Sequence, residues 1–449
     1  MRVTDMTHGR PIRLILLFSL PLMLGSVFQQ LYTIVDTIII GRGVGMQALA
    51  SIGAADWINW LVLWGLQGFT QGFAILAAQE FGAGAYDRLR RVLAMIVKLS
   101  CWFGIAVTII SLLLVRPLLT LLRTDPAVFG GAQTYLYVQF GGSLIIIAYN
   151  MAAAVLRCLG DSRTPLFAII AASFANIALD LLFVMGFGWG IFGASFATVL
   201  AQLIAFLLCL RSLRRLPFVQ LTKADWKTDP AILLHLCRLG IPTGLQMSMI
   251  TLGGMVLQSV LNGFGVVFVA GYTAANKLYG ILESASVAFG YAMTAYMGQN
   301  RGARNAARMD AGIRAVLALS AGFTAAIVMA MLLAGKPLLG LFLSTEEAGA
   351  ADALAVAYQY LMVLMAFLFA LFVLQAYRSS LQGLDEMTVP TLSGFAEMLM
   401  RMGAALVLPV FIGKSGVFFA EGAAWVCAAA LNLVWYYIRI GKIKREMLK

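Results

Sequence analysis

Long apolar segments alternate with short polar connections along the whole chain. Each segment is roughly 20 residues or longer, which is the length an α-helix needs to cross the hydrocarbon core of a bilayer. The pattern predicts twelve membrane-spanning helices, at about 14–40, 52–78, 93–115, 133–156, 166–186, 190–211, 234–261, 268–297, 312–335, 355–377, 390–412 and 416–438. We therefore expect an all-α membrane protein.

Composition and charge support this assignment. Hydrophobic residues make up 61% of the 449 residues and charged residues 12%, against roughly 25% charged in soluble proteins. Lys and Arg crowd onto alternate connections, with about 25 on the side that holds both termini and about 6 on the other. This asymmetry predicts cytoplasmic termini, in the cytoplasmic (inner) membrane of a prokaryote. It also explains the net charge of +12 without nucleic acid as a partner.

The two halves of the chain repeat each other at an interval of about 220 residues. For example, LRCLGDSRTP from Leu156 matches LQGLDEMTVP from Leu381, and the matches fall on Pro, Gly and charged positions. We expect an N-terminal lobe at 1–212, a cytoplasmic linker at 213–231 and a C-terminal lobe at 232–449. Each lobe has six helices, so the lobes are predicted to be pseudo-symmetric and to surround a central cleft.

Two carboxylates stand out within the predicted spans of the N-terminal half. A carboxylate at mid-membrane depth costs roughly 2.5–3.5 kcal/mol on insertion scales, so it needs a partner or a purpose. Each lies on a polar helix face with residues three or four positions apart: Asp36 with Gln29 and Thr33, and Asp180 with Ser173 and Asn176. These faces can enclose a hydrophilic chamber for a proton or a dehydrated cation. The alternative is that they only join helices through hydrogen bonds.

The repeat provides an internal control for these carboxylates. The positions equivalent to Asp36 and Asp180 in the second half are about Leu257 and Ala405. The shared scaffold therefore does not require the charges, and their restriction to one lobe favours ion coupling in the N-terminal lobe.

The C-terminal half has its own charges within predicted spans: Glu283, Glu397, Arg401 and Glu421. Glu397 and Arg401 are four residues apart and can pair on one helix face. We favour a structural or substrate-binding role for this pair over coupling, and expect that loss of Glu397 would leave Arg401 as the unpaired charge. Glu283 is equally consistent with binding a cationic substrate and with reaching water near the cleft.

Four stretches together resemble a known family. They are VDTIIIGRGVGMQALASIG from Val35, LRCLGDSRTP from Leu156, NIALDLLFVMGFGWGIFGASFAT from Asn176, and the Ile-Pro pair at Ile241. In their order, spacing and duplication they are similar to the multidrug and toxic compound extrusion (MATE) family of secondary transporters. The resemblance covers essentially the whole chain.

The resemblance implies export of varied, mostly cationic amphiphilic compounds in exchange for protons or sodium ions. It also implies ion coupling at the positions that match the family's motif, which are Asp36, Asn176, Asp180 and Thr198. One branch of the family places a glutamate on the seventh helix and an aspartate on the tenth. The corresponding segments here offer only neutral side chains, Gln246, Ser248, Thr251 and Gln375. Coupling by that route is therefore not expected.

The sequence thus predicts an antiporter coupled to H⁺ or Na⁺ that exports small amphiphilic compounds by alternating access. We expect a monomer whose partners are its substrates and the lipid bilayer, with no cofactor, no metal site and no nucleic acid. The nearest alternative is a flippase for a lipid-linked precursor, which would need a more cationic cavity than Arg401 alone supplies. An intramembrane enzyme is disfavoured because the two histidines, His8 and His235, lie near the membrane ends and no catalytic pair is visible. ATP hydrolysis is not expected, because the sequence contains no Walker loop, nucleophile elbow or HExxH motif.

Overall fold

A computed structural model of the chain describes residues 3–343 and 349–447. These residues form thirteen α-helices joined by short turns, and they contain no strand. The helices are α1 (Pro11–Gly43), α2 (Met46–Gly82), α3 (Tyr86–Leu121), α4 (Pro126–Gly141), α5 (Ser143–Cys158), α6 (Arg163–Asp180), α7 (Gly190–Arg214), α8 (Pro230–Asn262), α9 (Val266–Gly302), α10 (Ala306–Gly340), α11 (Ala350–Gly383), α12 (Thr388–Ile412) and α13 (Phe419–Met447).

The membrane-spanning pattern predicted from the sequence is present in these helices. Ten candidate spans are long and apolar enough to cross a membrane, and α4 and α5 make an eleventh that is bent by 49°. The remaining predicted span, 268–297, lies in α9, which is 37 residues long but less apolar than the others. Its residues from Ala288 to Asn300 are almost all buried. This part of the helix is surrounded by protein and therefore needs fewer apolar side chains. The all-α membrane fold is confirmed.

Residue contacts group the chain into two units. The first comprises Leu20–Gly244 with the extreme N-terminus, and the second comprises Leu245–Lys449 with Met6–Ser19. Two long helices, α1 and α8, therefore contribute to both units. Each changes unit next to an internal proline, Pro21 in α1 and Pro242 in α8. Proline removes a backbone hydrogen bond and permits a helix to bend at that point.

Glycines fix the N-terminal part of α8 within the first unit. A Cβ atom on Gly72 of α2 would lie 2.6 Å from the Cα of Gly240 on α8, so the two backbones are in direct contact. Gly68, one turn earlier on α2, meets the carbonyl oxygen of Thr243 in the same way, at 2.7 Å. Small residues four positions apart allow membrane helices to pack this closely.

The connection between α7 and α8 packs against α3, within the first unit. The Lys98 ammonium on α3 donates to the Trp226 carbonyl at 2.5 Å and to the Thr228 hydroxyl at 2.9 Å. The Asp225 carboxylate accepts the Thr222 backbone N–H at 2.7 Å and the Thr222 hydroxyl at 2.8 Å. The connection is therefore a folded segment attached to one unit.

Asp225 is an ionised group at the centre of this connection. Burial raises its pKa, but the hydrogen bonds from Thr222 and the charges of Arg90 and Arg91 outweigh burial. The pKa of Asp225 therefore lies below its usual value. Since the folded state favours the carboxylate, Asp225 stabilises the connection at neutral pH, and this contribution is lost when the group is protonated in acid.

Candidate functional site

Two predicted coupling residues meet in the first unit. Asp36 on α1 and Asp180 at the end of α6 place their carboxyl groups close enough to interact with each other. Asp180 is fully buried and Asp36 is partly buried. Among the described residues, no donor reaches Oδ1 of Asp36 or either carboxyl oxygen of Asp180. Two adjacent carboxylates repel each other when both are ionised. The pair is thus arranged to share a proton or a cation.

Asn176 lies one helical turn before Asp180 on α6 and is 1% exposed. Neither its Nδ2 nor its Oδ1 has a hydrogen-bond partner in the described part of the chain. Buried amide groups are nearly always hydrogen-bonded, so this amide requires an explanation. Its oxygen is a suitable ligand for a hard cation, and its N–H₂ is a suitable donor to the neighbouring carboxylate.

The other predicted residues of this lobe are bound to their own helices. The hydroxyl groups of Ser173, Thr33 and Thr198 each donate to a backbone carbonyl four residues earlier, at 2.9, 2.9 and 3.2 Å. Gln29 and Thr33 are exposed, and Thr198 is partly buried. Each of these hydrogen bonds lies within a single helix, so these hydroxyl groups do not join one helix to another. They bring none of these hydroxyl groups onto the Asp36–Asp180 pair.

The chain changes its helical geometry immediately after Asp180. Residues Leu181–Gly186 form a π-helical segment, and the Phe187 N–H donates to the Leu182 carbonyl at 2.8 Å. Such widened turns are uncommon and occur often at functional sites. The segment sets the end of α6, and with it the position of the Asp180 carboxyl group. The periodicity of the sequence did not reveal it.

Two tyrosines near the carboxylates were also missed from the sequence. Tyr32 lies one turn before Asp36 on α1, and Tyr135 on α4 is close enough to interact electrostatically with Asp36. The Tyr135 hydroxyl accepts a hydrogen bond from Asn59 on α2 at 3.1 Å. Tyr32 could have been found from its spacing to Asp36, whereas Tyr135 and Asn59 come together only through helix packing.

The second unit contains an alternating chain of buried charges. Glu397 pairs with Arg401 at 3.1 Å, so the pair predicted from their spacing is confirmed. Glu397 also pairs with Arg378 on α11 at 2.5 Å, and Arg401 pairs with Glu421 on α13 at 2.8 Å. Arg401 further donates to the Ile250 carbonyl on α8 at 2.9 Å. The network therefore ties four helices of this unit together.

This network corrects one expectation from the sequence. Arg401 would keep Glu421 and a carbonyl if Glu397 were removed, so it is wrong that Arg401 would become the unpaired charge. In the described residues, Glu397 is the one carboxylate within 4 Å of Arg378. Arg378, which the sequence analysis did not consider, is therefore the charge that depends on Glu397.

Glu283 on α9 lies at the edge of the same network. It is partly buried, its carboxyl group lies near the Tyr279 hydroxyl group, and it is electrostatically close to Glu421 and Arg401. Aromatic rings surround this region: Tyr279 stacks on Trp425 with ring centroids 5.6 Å apart, and Tyr272 stacks on Tyr360 at 4.4 Å.

Two of the four neutral residues at the branch-specific positions, Gln246 and Thr251, have hydrogen-bond partners. Gln246 is fully buried, donates to the Pro390 carbonyl at 2.8 Å and accepts from Gln382 at 2.9 Å. Thr251 donates to the Met247 carbonyl at 3.0 Å on its own helix.

Across the residues that the structure describes, no group of three or more His, Cys, Asp or Glu side chains is placed to hold a metal ion.

Comparison with known proteins decides the family. The model of the MatE family matches residues 21–182 and again residues 242–407. The chain belongs to the MATE family. The double match also agrees with the internal repeat of this MATE protein. It is a multi-pass membrane transporter and not an enzyme.

Similar proteins support this assignment over the full length. The MATE chain is 32% identical to the "Probable multidrug resistance protein YpnP" of Bacillus subtilis, covering 100% of this chain and 99% of that one. Its fold matches a solved structure described as the outward-facing conformation of a multidrug resistance MATE family transporter of the MOP superfamily. That match has a TM-score of 0.91 and 24% sequence identity, and it covers 99% of both chains. A MATE structure in complex with MaL6 matches with a TM-score of 0.90 and 24% identity, over 99% of this chain and 100% of that one. None of these matches favours a flippase.

Proposed function

We propose that this MATE protein exports amphiphilic, cationic compounds by alternating access, in exchange for H⁺ or Na⁺ entering the cell. The multidrug names of its relatives support the substrate class. We further propose that it works as a monomer in the cytoplasmic membrane of a prokaryote with both termini in the cytoplasm, and that its lobes are the repeats 1–212 and 232–449.

The observation that carries the coupling proposal is the Asp36–Asp180 pair. The two carboxyl groups are adjacent, and within the described chain no donor satisfies their buried oxygens. The doubly ionised pair is unfavourable, and uptake of one proton or one cation removes the repulsion. Asn176, with its unpaired amide on the same helix face, is proposed as a third member of the site. Thr198 is proposed as an outer member of the site. Its hydroxyl group, which donates to the Ala194 carbonyl, would rotate to reach the site.

The available driving force is sufficient for this role. One monovalent cation that crosses 100 mV yields about 2.3 kcal/mol, and each pH unit adds about 1.36 kcal/mol. One coupling ion can therefore sustain a substrate gradient of the order of 100-fold for a neutral compound.

The experiment that tests this function uses proteoliposomes loaded with ethidium, with a pH gradient or a Na⁺ gradient imposed one at a time. Asp36→Asn and Asp180→Asn keep the shape and hydrogen bonding of the side chain but cannot take up a proton or offer a full charge. We expect each to abolish gradient-driven export while the protein remains folded and monodisperse. Asp87→Asn, at an 87% exposed carboxylate, is the matched control and is expected to export normally.

Near-normal gradient-driven export by either mutant would show that coupling does not depend on this pair. Failure of both gradients to move ethidium through the wild-type protein would refute the proposed function itself.

A further inference from the structure

The buried charges of the second unit do not balance. Three carboxylates and two guanidinium groups are connected by ion pairs and electrostatic contacts; we call these five residues, Glu283, Arg378, Glu397, Arg401 and Glu421, the C-terminal cluster. All five ionised would leave one negative charge in excess. A net charge within a membrane-spanning bundle is costly unless a proton or another cation neutralises it.

The ion pairs show which group carries the excess. Glu397 is held by two arginines, and Glu421 is held by Arg401 at 2.8 Å. By contrast, Glu283 makes no ion pair within 4 Å to any described residue, and its carboxyl group meets the Tyr279 hydroxyl. The charged and titratable groups that interact with Glu283 are Tyr279 on α9, Glu397 and Arg401 on α12, and Glu421 on α13. Next to these, Arg378 on α11 pairs with Glu397, and Tyr360 on α11 interacts with Glu421 and Tyr279.

We propose that Glu283 is a proton-binding site of the C-terminal cluster. A proton on Glu283 leaves two carboxylates and two guanidinium groups, so the cluster becomes neutral. It also removes the repulsion between Glu283 and Glu421, for which Arg401 alone cannot compensate because Glu397 shares it. Water supplies the proton, and the Glu283 side chain is only partly covered by protein.

This site differs from the one expected in the first unit. The repeat leaves no carboxylate at the equivalents of Asp36 and Asp180, and Glu283 occupies an unrelated position in α9. Its existence does not depend on the proposed function. The role of the site in transport does rest on the proposed function. In a proton-driven antiporter, Glu283 would carry a second proton in addition to the one on the Asp36–Asp180 pair.

Infrared spectroscopy tests the site without transport. The protein is labelled with ¹³C-glutamate, so that glutamate bands separate from those of Asp36 and Asp180, and reconstituted in nanodiscs. We expect a C=O band of a protonated glutamate at pH 7 in the wild-type protein, lost in Glu283→Gln. Glu386→Gln, whose carboxylate pairs with Arg439 at 3.5 Å outside the cluster, is the matched control and should retain the band.

The wild-type spectrum alone can overturn the proposal, even if Glu283→Gln does not fold. A wild-type protein without a protonated-glutamate band at pH 7 would do so, as would a band that persists in Glu283→Gln. Loss of the band on addition of Na⁺ at constant pH would also overturn it, because the site would then be a sodium site.

A second measurement tests the use of the site. Ethidium is allowed to reach equilibrium across proteoliposomes with one pH unit imposed and the membrane potential clamped at zero. Each coupled proton contributes a tenfold ethidium gradient per pH unit. We therefore expect the gradient to fall tenfold in Glu283→Gln. An unchanged gradient would refute a coupling role for Glu283, whereas a wild-type protein that builds no gradient would refute the proposed function and leave the infrared result valid.

Discussion

Substitution of Glu397 by Gln is expected to destabilise the second unit through Arg378. Glu397 lies between two guanidinium groups, and its side chain and that of Arg378 are each 4% exposed. Gln keeps the size of the side chain but removes the charge. Arg401 retains Glu421 and the Ile250 carbonyl, whereas Arg378 loses its carboxylate. The mutation therefore creates one buried, uncompensated cation.

The size of the effect follows from that uncompensated charge. Removal of one partner of a buried ion pair costs roughly 3–5 kcal/mol. For a cooperative unit of ~200 residues, each kcal/mol lowers Tm by ~2–4 °C. We therefore expect Glu397→Gln to lower the Tm of the detergent-purified protein by about 10 °C and to reduce its expression.

Two double mutants identify the charge that is responsible, by thermal unfolding of the purified proteins. Glu397→Gln with Arg378→Met removes the cation that would be left unpaired and is expected to recover most of the lost stability. Glu397→Gln with Arg401→Met is not expected to recover it, because Arg378 stays unpaired and Glu421 loses its partner as well. Better rescue by Arg401→Met than by Arg378→Met would refute this reasoning.

Two further predictions concern the connection between α7 and α8. In a cysteine-free background, a membrane-impermeant thiol reagent added to intact cells should leave Gln220→Cys unlabelled and label Leu341→Cys; the reverse result would overturn the cytoplasmic assignment. Asp225→Asn should increase hydrogen exchange of the connection at pH 7, because the carboxylate accepts both Thr222 hydrogen bonds. Since folding lowers the pKa of Asp225, the difference from the wild-type protein should disappear as the pH falls below about 4; a difference independent of pH would contradict this assignment.

Local sequence patterns were sufficient for the helices and for pairs within one helix. Spans predicted from hydropathy match observed helices because the bilayer requires each span to be long and apolar. The Glu397–Arg401 pair was predictable because four residues make about one helical turn. The less apolar α9 was also predicted as a span, since its Ala, Gly and aromatic residues suit close packing inside a bundle.

Contacts between helices were not predictable from the same patterns. Arg378 is 19 residues from Glu397 and on another helix, and no spacing rule connects them. The same holds for Tyr135 and Asn59, which are 76 residues apart. The π-helical segment after Asp180 depends on packing around Leu181–Gly186, because nothing in its apolar sequence distinguishes it from an α-helix. The sequence located the charged residues but not the partners that determine their chemistry.

The two units differ in how their buried carboxylates are paired. In the first unit, Asp36 and Asp180 face each other, and the described chain provides no cation or donor for their buried oxygens. Their charge must therefore be balanced by something that enters from outside. In the second unit, two arginines hold Glu397 and Glu421 as fixed anions. Within the C-terminal cluster, Glu283 is the carboxylate that makes no ion pair to a described residue, and we propose that it takes up the external proton. We therefore propose that an external ion changes the charge of the first unit at the Asp36–Asp180 pair and that of the second unit at Glu283, on the edge of a network of fixed ion pairs.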